Sequence, residues 1–210
     1  MSRVLLADDH PLFRQALRTA VVLAQPQLVI EEAGTLEAAR EALTQRPDFV
    51  LVLLDLKMPD CTGFSGLLSL RSEFPHMPIV VVSSSGTTTT VSRAIAFGAA
   101  GFIPKSASVN QIGEALLTVL AGDIWTPPTT PAAAVPAVVD AIASLTPTQL
   151  RTLMGLQRGL ANKQIAFEMG VTEATVKAHI TTMFRKLGVV NRTQASLVAQ
   201  QFALNNEAVP

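Results

Sequence analysis

The chain has 210 residues, 49% of them hydrophobic and 15% charged, with 16 basic and 16 acidic side chains. That suffices for two domains of ordinary size with cores of their own and excludes overall disorder. The net charge of zero hides an asymmetry: residues 1–125 hold nine Lys/Arg against twelve Asp/Glu, or −3, while residues 145–210 hold seven against three, or +4. A basic second half points to nucleic acid as its partner. No apolar run reaches the roughly 18 to 20 residues that span a bilayer, and the opening MSRVLLADDH meets acids too soon for a secretory signal, so a cytoplasmic location away from membranes is expected. The one cysteine, Cys61, excludes an internal disulfide and any multi-cysteine zinc site, and reads as a bystander beside a loop.

In chain order, short β-rich apolar runs alternate with segments of helical period. Strands are predicted at 3–7, 28–32, 49–54, 78–82 and 101–104. Runs apolar on both faces belong in a parallel sheet covered on both sides. The first helix follows HPLFRQALRTAVV, with proline in its first turn and Leu12, Ala16, Leu17 and Ala20 as its apolar residues. The last helix of this half opens with a capping box, Ser108 to Gln111, and continues with Val109, Ile112, Leu116 and Leu120 on one face. The first domain is thus expected to be an α/β sandwich of five βα units.

Function in such sheets sits beyond the carboxyl ends of the strands. Asp8 and Asp9 follow the first strand, Asp55 the third, Ser83 the fourth and Lys105 the fifth. A stiff buried strand holds the Asp55 carboxylate at the mouth of the crevice. Three carboxylates brought together repel one another and are reconciled by a hard cation with oxygen ligands, Mg²⁺ above all. Asp55 then qualifies as a nucleophile toward a phosphoryl group, with Lys105 as the opposing point charge and Ser83 as a hydroxyl donor.

The segments LLADDH, LLDLKMPD with its following glycine, VVVSSSG and GAAGFIPKS resemble the receiver domain of bacterial two-component response regulators, over about 120 residues. The resemblance implies a flavodoxin-like fold, Asp55 as phosphoacceptor, Asp9 as direct metal ligand, Asp8 as its helper and the Lys57 backbone carbonyl as a further metal ligand. It also implies that Ser83 and Phe102 form a switch pair, the hydroxyl drawn inward on phosphorylation and the ring following it. Two departures stand out: Ser106 follows the lysine where many receivers have proline, and the loop after Ser83 reads SSGTTTT, without the acids often found there.

The receiver is assigned to residues 1–124. The stretch TPPTTPAAAVP, 126–136, carries four prolines and no charge, and favours extended, semi-rigid backbone. A linker is placed at 125–144, ending in a short helix suggested by Val135, Val138, Val139 and Ile142 at helical spacing with Pro136 in its first turn.

From 145 to 205 the pattern is all-α. TPTQ is a capping box closed by Gln149, and helices are predicted near 147–158, 162–169, 173–187 and 192–203, with turns at Gly159, Gly170 and Gly188. In the third of these, Val176, Ile180, Phe184 and Leu187 share an apolar face while Lys177, Ala178, Thr181 and Arg185 lie toward the other. A helix seated in the major groove reads bases from its first turns and meets phosphates from its flanks. Lys177 suits guanine O6 or N7, the Ala178 methyl suits thymine, and Thr181 suits either kind of edge. Lys163, Thr175, His179, Arg185 and Arg192 suit the phosphate backbone.

LTPTQ, GLANKQIA, TEATVKAHI and RKLGVVNRTQA resemble the C-terminal helix-turn-helix domain of the NarL/FixJ (LuxR-type) regulators, with Gln149 where that family usually has glutamate. The resemblance implies that the last helix forms the DNA-bound dimer contact, with Leu197, Val198 and Phe202 as candidates. Together the two halves imply a transcription regulator that takes a phosphoryl group from a sensor histidine kinase and binds double-stranded operator DNA as a homodimer strengthened by phosphorylation. Alternatives are a pseudo-receiver regulator that works without phosphate, a regulator of a diffusible small molecule, and an aspartyl-nucleophile phosphohydrolase. The small-molecule reading has little support from a chain with no Tyr and one Trp. The enzyme reading lacks a second Asp two residues after the nucleophile, where Lys57 stands.

Overall fold

The computed structural model describes residues 2–128 and 136–204. Five strands, β1 (Arg3–Ala7), β2 (Val29–Ala33), β3 (Phe49–Asp55), β6 (Ile79–Ser83) and β7 (Gly101–Pro104), form one parallel sheet in the order β2-β1-β3-β6-β7. Period-two alternation sends Val4 and Leu6 to one face and Leu5 and Ala7 to the other. The first face is covered by α1 (Pro11–Ala24) and α5 (Val109–Leu120), through Leu17, Ala20, Val21, Ile112, Leu116 and Val119. The second is covered by α2 (Leu36–Gln45), α3 (Ser65–Glu73) and α4 (Thr88–Ala96), through Ala39, Leu43, Leu67, Leu70, Val91 and Ala94. Every one of these residues is less than a tenth exposed, which is why the strand sequences run apolar on both faces.

The predicted capping box Ser108–Gln111 is formed. Leu12 is not part of the buried face of α1: it is 89% exposed, and the helix packs instead through Leu17, Ala20 and Val21. The segment after Asp55, read as loop, contains a two-stranded antiparallel hairpin, β4 (Lys57–Met58) and β5 (Cys61–Thr62). Its tip is tied down by Asp60, whose carboxylate accepts from the backbone N–H of Leu36 at 2.8 Å and Glu37 at 2.9 Å, at the start of α2. Cys61 is buried there, and burial pushes its thiol pKa up to about 12, which leaves it chemically inert.

After α5 the chain returns along the edge of β7. Trp125 donates from its N–H to Ala100 O and accepts from Phe102 N–H at 3.0 Å, and its ring is buried against the α1/α5 face. This covers a sheet edge. It also leaves little room for a side chain at Gly101, where a Cβ would lie 3.0 Å from Trp125 O.

The second part is helical: α6 (Ala137–Ala143), α7 (Pro147–Gln157), α8 (Asn162–Met169), α9 (Glu173–Leu187) and α10 (Arg192–Leu204). The short linker helix is α6, with Pro136 as its N-cap and Val139 and Ile142 buried; Val135 lies outside the described residues. The capping box of Thr146 and Gln149 opens α7, and Gly170 and Gly188 end α8 and α9 in the left-handed region that favours glycine. Among the described residues no helix is long and apolar enough to cross a membrane. The two parts pack through α3 and α7, with Leu68, Ile142, Leu153 and Ala199 gathered at the junction.

Gly155 lets α7 and α8 cross closely. A Cβ there would fall 2.8 Å from Ile165 Cγ1 and 3.0 Å from Cδ1. Ile165 is itself 1% exposed, so its buried side chain would have to shift to admit a methyl group. Gly155→Ala, although a better helix former, is expected to destabilise this part by about 1–3 kcal/mol through overpacking. A Tm in thermal unfolding equal to or above wild type would refute that.

Candidate functional site

The register of the sheet assembles the site. The strand order reverses between β1 and β3, and such a switch point opens a crevice at the strand carboxyl ends. Ala7 pairs with Leu54, which sets Asp8 beside Asp55; Asp55 pairs with Val82, one residue before Ser83; and Ser83 pairs with Pro104, one residue before Lys105. All five residues anticipated at the strand ends, Asp8, Asp9, Asp55, Ser83 and Lys105, therefore lie along one edge.

Asp8, Asp55 and Ser83 are at most 2% exposed, and Asp9 stands at the rim with its side chain 30% exposed. Lys105 Nζ lies 2.7 Å from Asp55 Oδ2 and 2.7 Å from Asp8 Oδ2, so a single ammonium bridges the two buried carboxylates. The Lys105 ammonium also lies over the Phe13 ring, with Nζ 4.9 Å from the ring centre. Asp55 Oδ1 accepts from Lys57 N–H at 3.1 Å. Ser83 Oγ accepts from Ser85 N–H, and Ser83 O accepts from Lys105 N–H at 2.7 Å, which ties the fourth and fifth strand ends together. Phe102 is fully buried beneath them, and its N–H is the donor held by Trp125.

Burial pushes the pKa of Asp55 up, and the hydrogen bonds from Lys105 and Lys57 pull it back without cancelling the rise. For Lys105, burial opposes the charge, yet its hydrogen bonds to Asp55 and Asp8 outweigh that and hold the pKa above its usual value. An acid whose folded pKa is raised binds its proton more tightly when folded, so its contribution to stability falls as pH rises from the unfolded pKa, about 3.9, through the folded value. At neutral pH the Asp55 charge is thus a burden on the metal-free protein. Asp55→Asn is expected to raise Tm in the presence of a chelator and to lose that advantage when Mg²⁺ is added. A lower Tm in chelator would show that the charge is already fully compensated.

One ligand atom from each of Asp8, Asp9, His10 and Asp55 lies within 4.8 Å of the others. Three carboxylates against one ammonium make a donor set that fits a hard divalent cation. His10 had no place in the reading of the sequence; its only mark there is its position next to the acidic pair.

At the other end of the chain, Lys177, Ala178, Thr181 and Arg185 are exposed on α9, while Val176, Met183 and Leu187 are buried on its opposite side. Lys177 is 64% exposed, and its ammonium lies 3.0 Å from Glu173, one turn earlier on the same stripe. Glu173 is a second residue absent from the sequence reading, which followed basic side chains. The Thr181 hydroxyl donates to Lys177 O and keeps its lone pairs for an outside donor. Lys163 is exposed; Thr175 and His179 are half-buried, with the Thr175 hydroxyl paired to that of the helix cap Thr172. Arg192 is half-buried and donates to Leu160 O, so it also fastens α10 to the turn between α7 and α8. On α10, Leu197 is 52% exposed and Val198 half-buried; the side chain of Phe202 lies outside the described residues.

Comparison with known proteins agrees with both ends of this geometry. Residues 4–117 match the response regulator receiver domain, and residues 143–199 match the bacterial regulatory proteins of the luxR family. The chain is 38% identical over 213 residues to a glycerol metabolism activator of Pseudomonas putida, covering 95% of each. It is 32% identical over 205 residues to the nitrate/nitrite response regulator NarL of Escherichia coli K12, covering 94% of each. Among solved structures, RcsB of Salmonella enterica serovar Typhimurium, bound to promoter P1flhDC in the presence of the phosphomimetic BeF3⁻, shares the fold with a TM-score of 0.56 at 19% identity, covering 94% of this chain and 97% of that one. A parallel sheet with three carboxylates and a lysine at its mouth, joined to a helix-turn-helix with an exposed basic stripe, places this chain in the NarL-type response regulator family, a receiver domain followed by a LuxR-type DNA-binding domain.

Proposed function

We propose that Asp55 accepts a phosphoryl group from a sensor histidine kinase and that the modified chain pairs into a homodimer on two-fold symmetric operator DNA. The observation that carries the reading is the bridging of Asp55 and Asp8 by Lys105 at 2.7 Å each, with Asp9 beside them. Asp55 Oδ1 or Oδ2 attacks phosphorus, the phosphohistidine nitrogen leaves, and an acyl phosphate forms. Lys105, freed from one carboxylate charge, is within reach of a new phosphoryl oxygen. Ser83, held at the next strand end, supplies a hydroxyl donor, and Phe102 follows it as the moving aromatic. Asp8, Asp9, Asp55 and the Lys57 carbonyl would hold Mg²⁺, which supplies neutralisation of charge on the incoming phosphoryl oxygens.

We take the receiver to run through residue 124, the linker through 144 and the DNA-binding domain through 205, acting in the cytoplasm. Lys57 stands two positions after Asp55, where an aspartyl-nucleophile phosphohydrolase carries its acid/base carboxylate, which favours a regulator over a phosphohydrolase. In the DNA-binding domain, Lys177, Ala178 and Thr181 face bases, and Lys163, Thr175, His179, Arg185 and Arg192 face phosphates. Leu197, Val198 and Phe202 on α10 pair two copies. One half-site gives few base contacts at about 1–3 kcal/mol each, so pairing decides occupancy.

The test is selection of binding sites from a random DNA pool with and without beryllofluoride and Mg²⁺. An inverted repeat enriched strongly only with beryllofluoride is expected. Equal enrichment in both conditions would favour the pseudo-receiver reading.

A further inference from the structure

His10 is the N-cap of α1, yet its side chain makes no cap hydrogen bond. A cap residue ordinarily turns its side chain toward the free N–H groups of the first turn. Here the backbone N–H of His10 donates to Asp8 Oδ1 at 2.7 Å, and the imidazole is turned the other way, over the carboxylates. Its Nδ1 lies 2.6 Å from Asp9 Oδ1, 3.5 Å from Asp8 Oδ1 and 3.8 Å from Asp55 Oδ2. Adjacent ligands of one octahedral ion with bonds of about 2.1 Å stand about 3 Å apart. The separations from Asp8 and Asp55 lie close to that spacing, and the 2.6 Å contact with Asp9 is of hydrogen-bond length, so a cation would take the place of a proton there.

From this geometry we infer that His10 Nδ1 is a ligand in the phosphoacceptor site, and that it makes the site selective for a first-row transition ion such as Mn²⁺ over Mg²⁺. The inference deepens the metal reading given above and rests on it. Mg²⁺ prefers oxygen and keeps its waters, whereas an imidazole nitrogen gains most with the softer ions of the transition row. The imidazole is 62% exposed, and its Nδ1 is the nitrogen that lies against the carboxylates. Replacing it removes a donor without opening the core.

Mn²⁺ alone is the probe, added to the full-length chain. Nitrogen modulation in the electron spin-echo of bound Mn²⁺ is expected in wild type and absent in His10→Ala and His10→Gln. In calorimetric titration both variants should bind Mn²⁺ about 10-fold or more weakly, the scale on which metal-site partners act, and lose clearly less affinity for Mg²⁺. Bound Mn²⁺ without nitrogen modulation in wild type, or equal weakening for both ions, would overturn the role of His10 while leaving the acidic site standing. Nitrogen modulation that persists in His10→Ala and in Asp55→Asn alike would place the ion elsewhere, at His76 or His179, and overturn both readings.

Discussion

Asp55→Asn is expected to abolish uptake of a phosphoryl group from acetyl phosphate and Mg²⁺, read as the absence of the single phosphoryl mass that wild type gains. An amide has no anionic lone pair to attack phosphorus, so the loss is complete rather than graded. In the proposed reaction the neighbouring acids hold the cation and are not expected to substitute. Asp8 is as buried as Asp55, and its Oδ1 is held by the His10 N–H as Asp55 Oδ1 is by the Lys57 N–H. Asp9 stands at the rim beside His10 and is not bridged to Lys105 as Asp8 and Asp55 are. Asp9→Asn should retain the nucleophile and lose most of the Mg²⁺ dependence, which separates the attacking group from the cation's holder. Undiminished phosphoryl gain in Asp55→Asn would remove the nucleophile from the site, whatever the geometry. The same variant should fail to shift from monomer to dimer in light scattering after acetyl phosphate treatment, linking the chemistry to assembly.

What the sequence made legible is the part written in local pattern. β1, β3 and β7 announce themselves as apolar runs, and Asp55 stands out because a carboxylate ends one of them. Both capping boxes, Ser108–Gln111 and Thr146–Gln149, span four residues and need no knowledge of the fold. What escaped depends on contacts between distant residues. The β4–β5 hairpin is only two residues per strand, and its tip is fixed by Asp60 bonding to Leu36 and Glu37, more than twenty residues earlier. Leu12 fits the helical period numerically, but α1 rotates to bury Leu17, Ala20 and Val21, and the neighbouring α5 decides that rotation. His10 reveals nothing by its type, because only the direction of its imidazole distinguishes a cap residue from a candidate ligand. Arg192 and Glu173 carry the same lesson: a basic stripe can be read from sequence, but which of its members already hold a partner cannot.

Lys177→Ala is expected to produce the largest loss of operator affinity among substitutions on α9. In the free protein the ammonium is paired with Glu173 at 3.0 Å, with the two side chains 64% and 48% exposed. A solvated i,i+4 pair of this kind is worth about 0.3–0.5 kcal/mol, so releasing it costs little. Placed against guanine O6 and N7 in the groove, the same ammonium gains about 1–3 kcal/mol of discrimination. A dimer makes the contact twice, so the expected loss is about 2–6 kcal/mol, or roughly 30-fold to more than 10⁴-fold, confined to the cognate sequence. Arg185→Ala, lower on the stripe, should instead weaken cognate and random DNA alike and reduce the salt slope by about 0.9 per phosphate lost. Glu173→Gln separates the two effects further. It frees Lys177 and removes a carboxylate from the groove, so binding to random DNA should strengthen while preference for the cognate site narrows, because a glutamate finds a donor only on cytosine or adenine. If Lys177→Ala instead lowered random and cognate binding by the same factor, Lys177 would be a phosphate contact, and base reading would have to pass to Thr181 and Ala178.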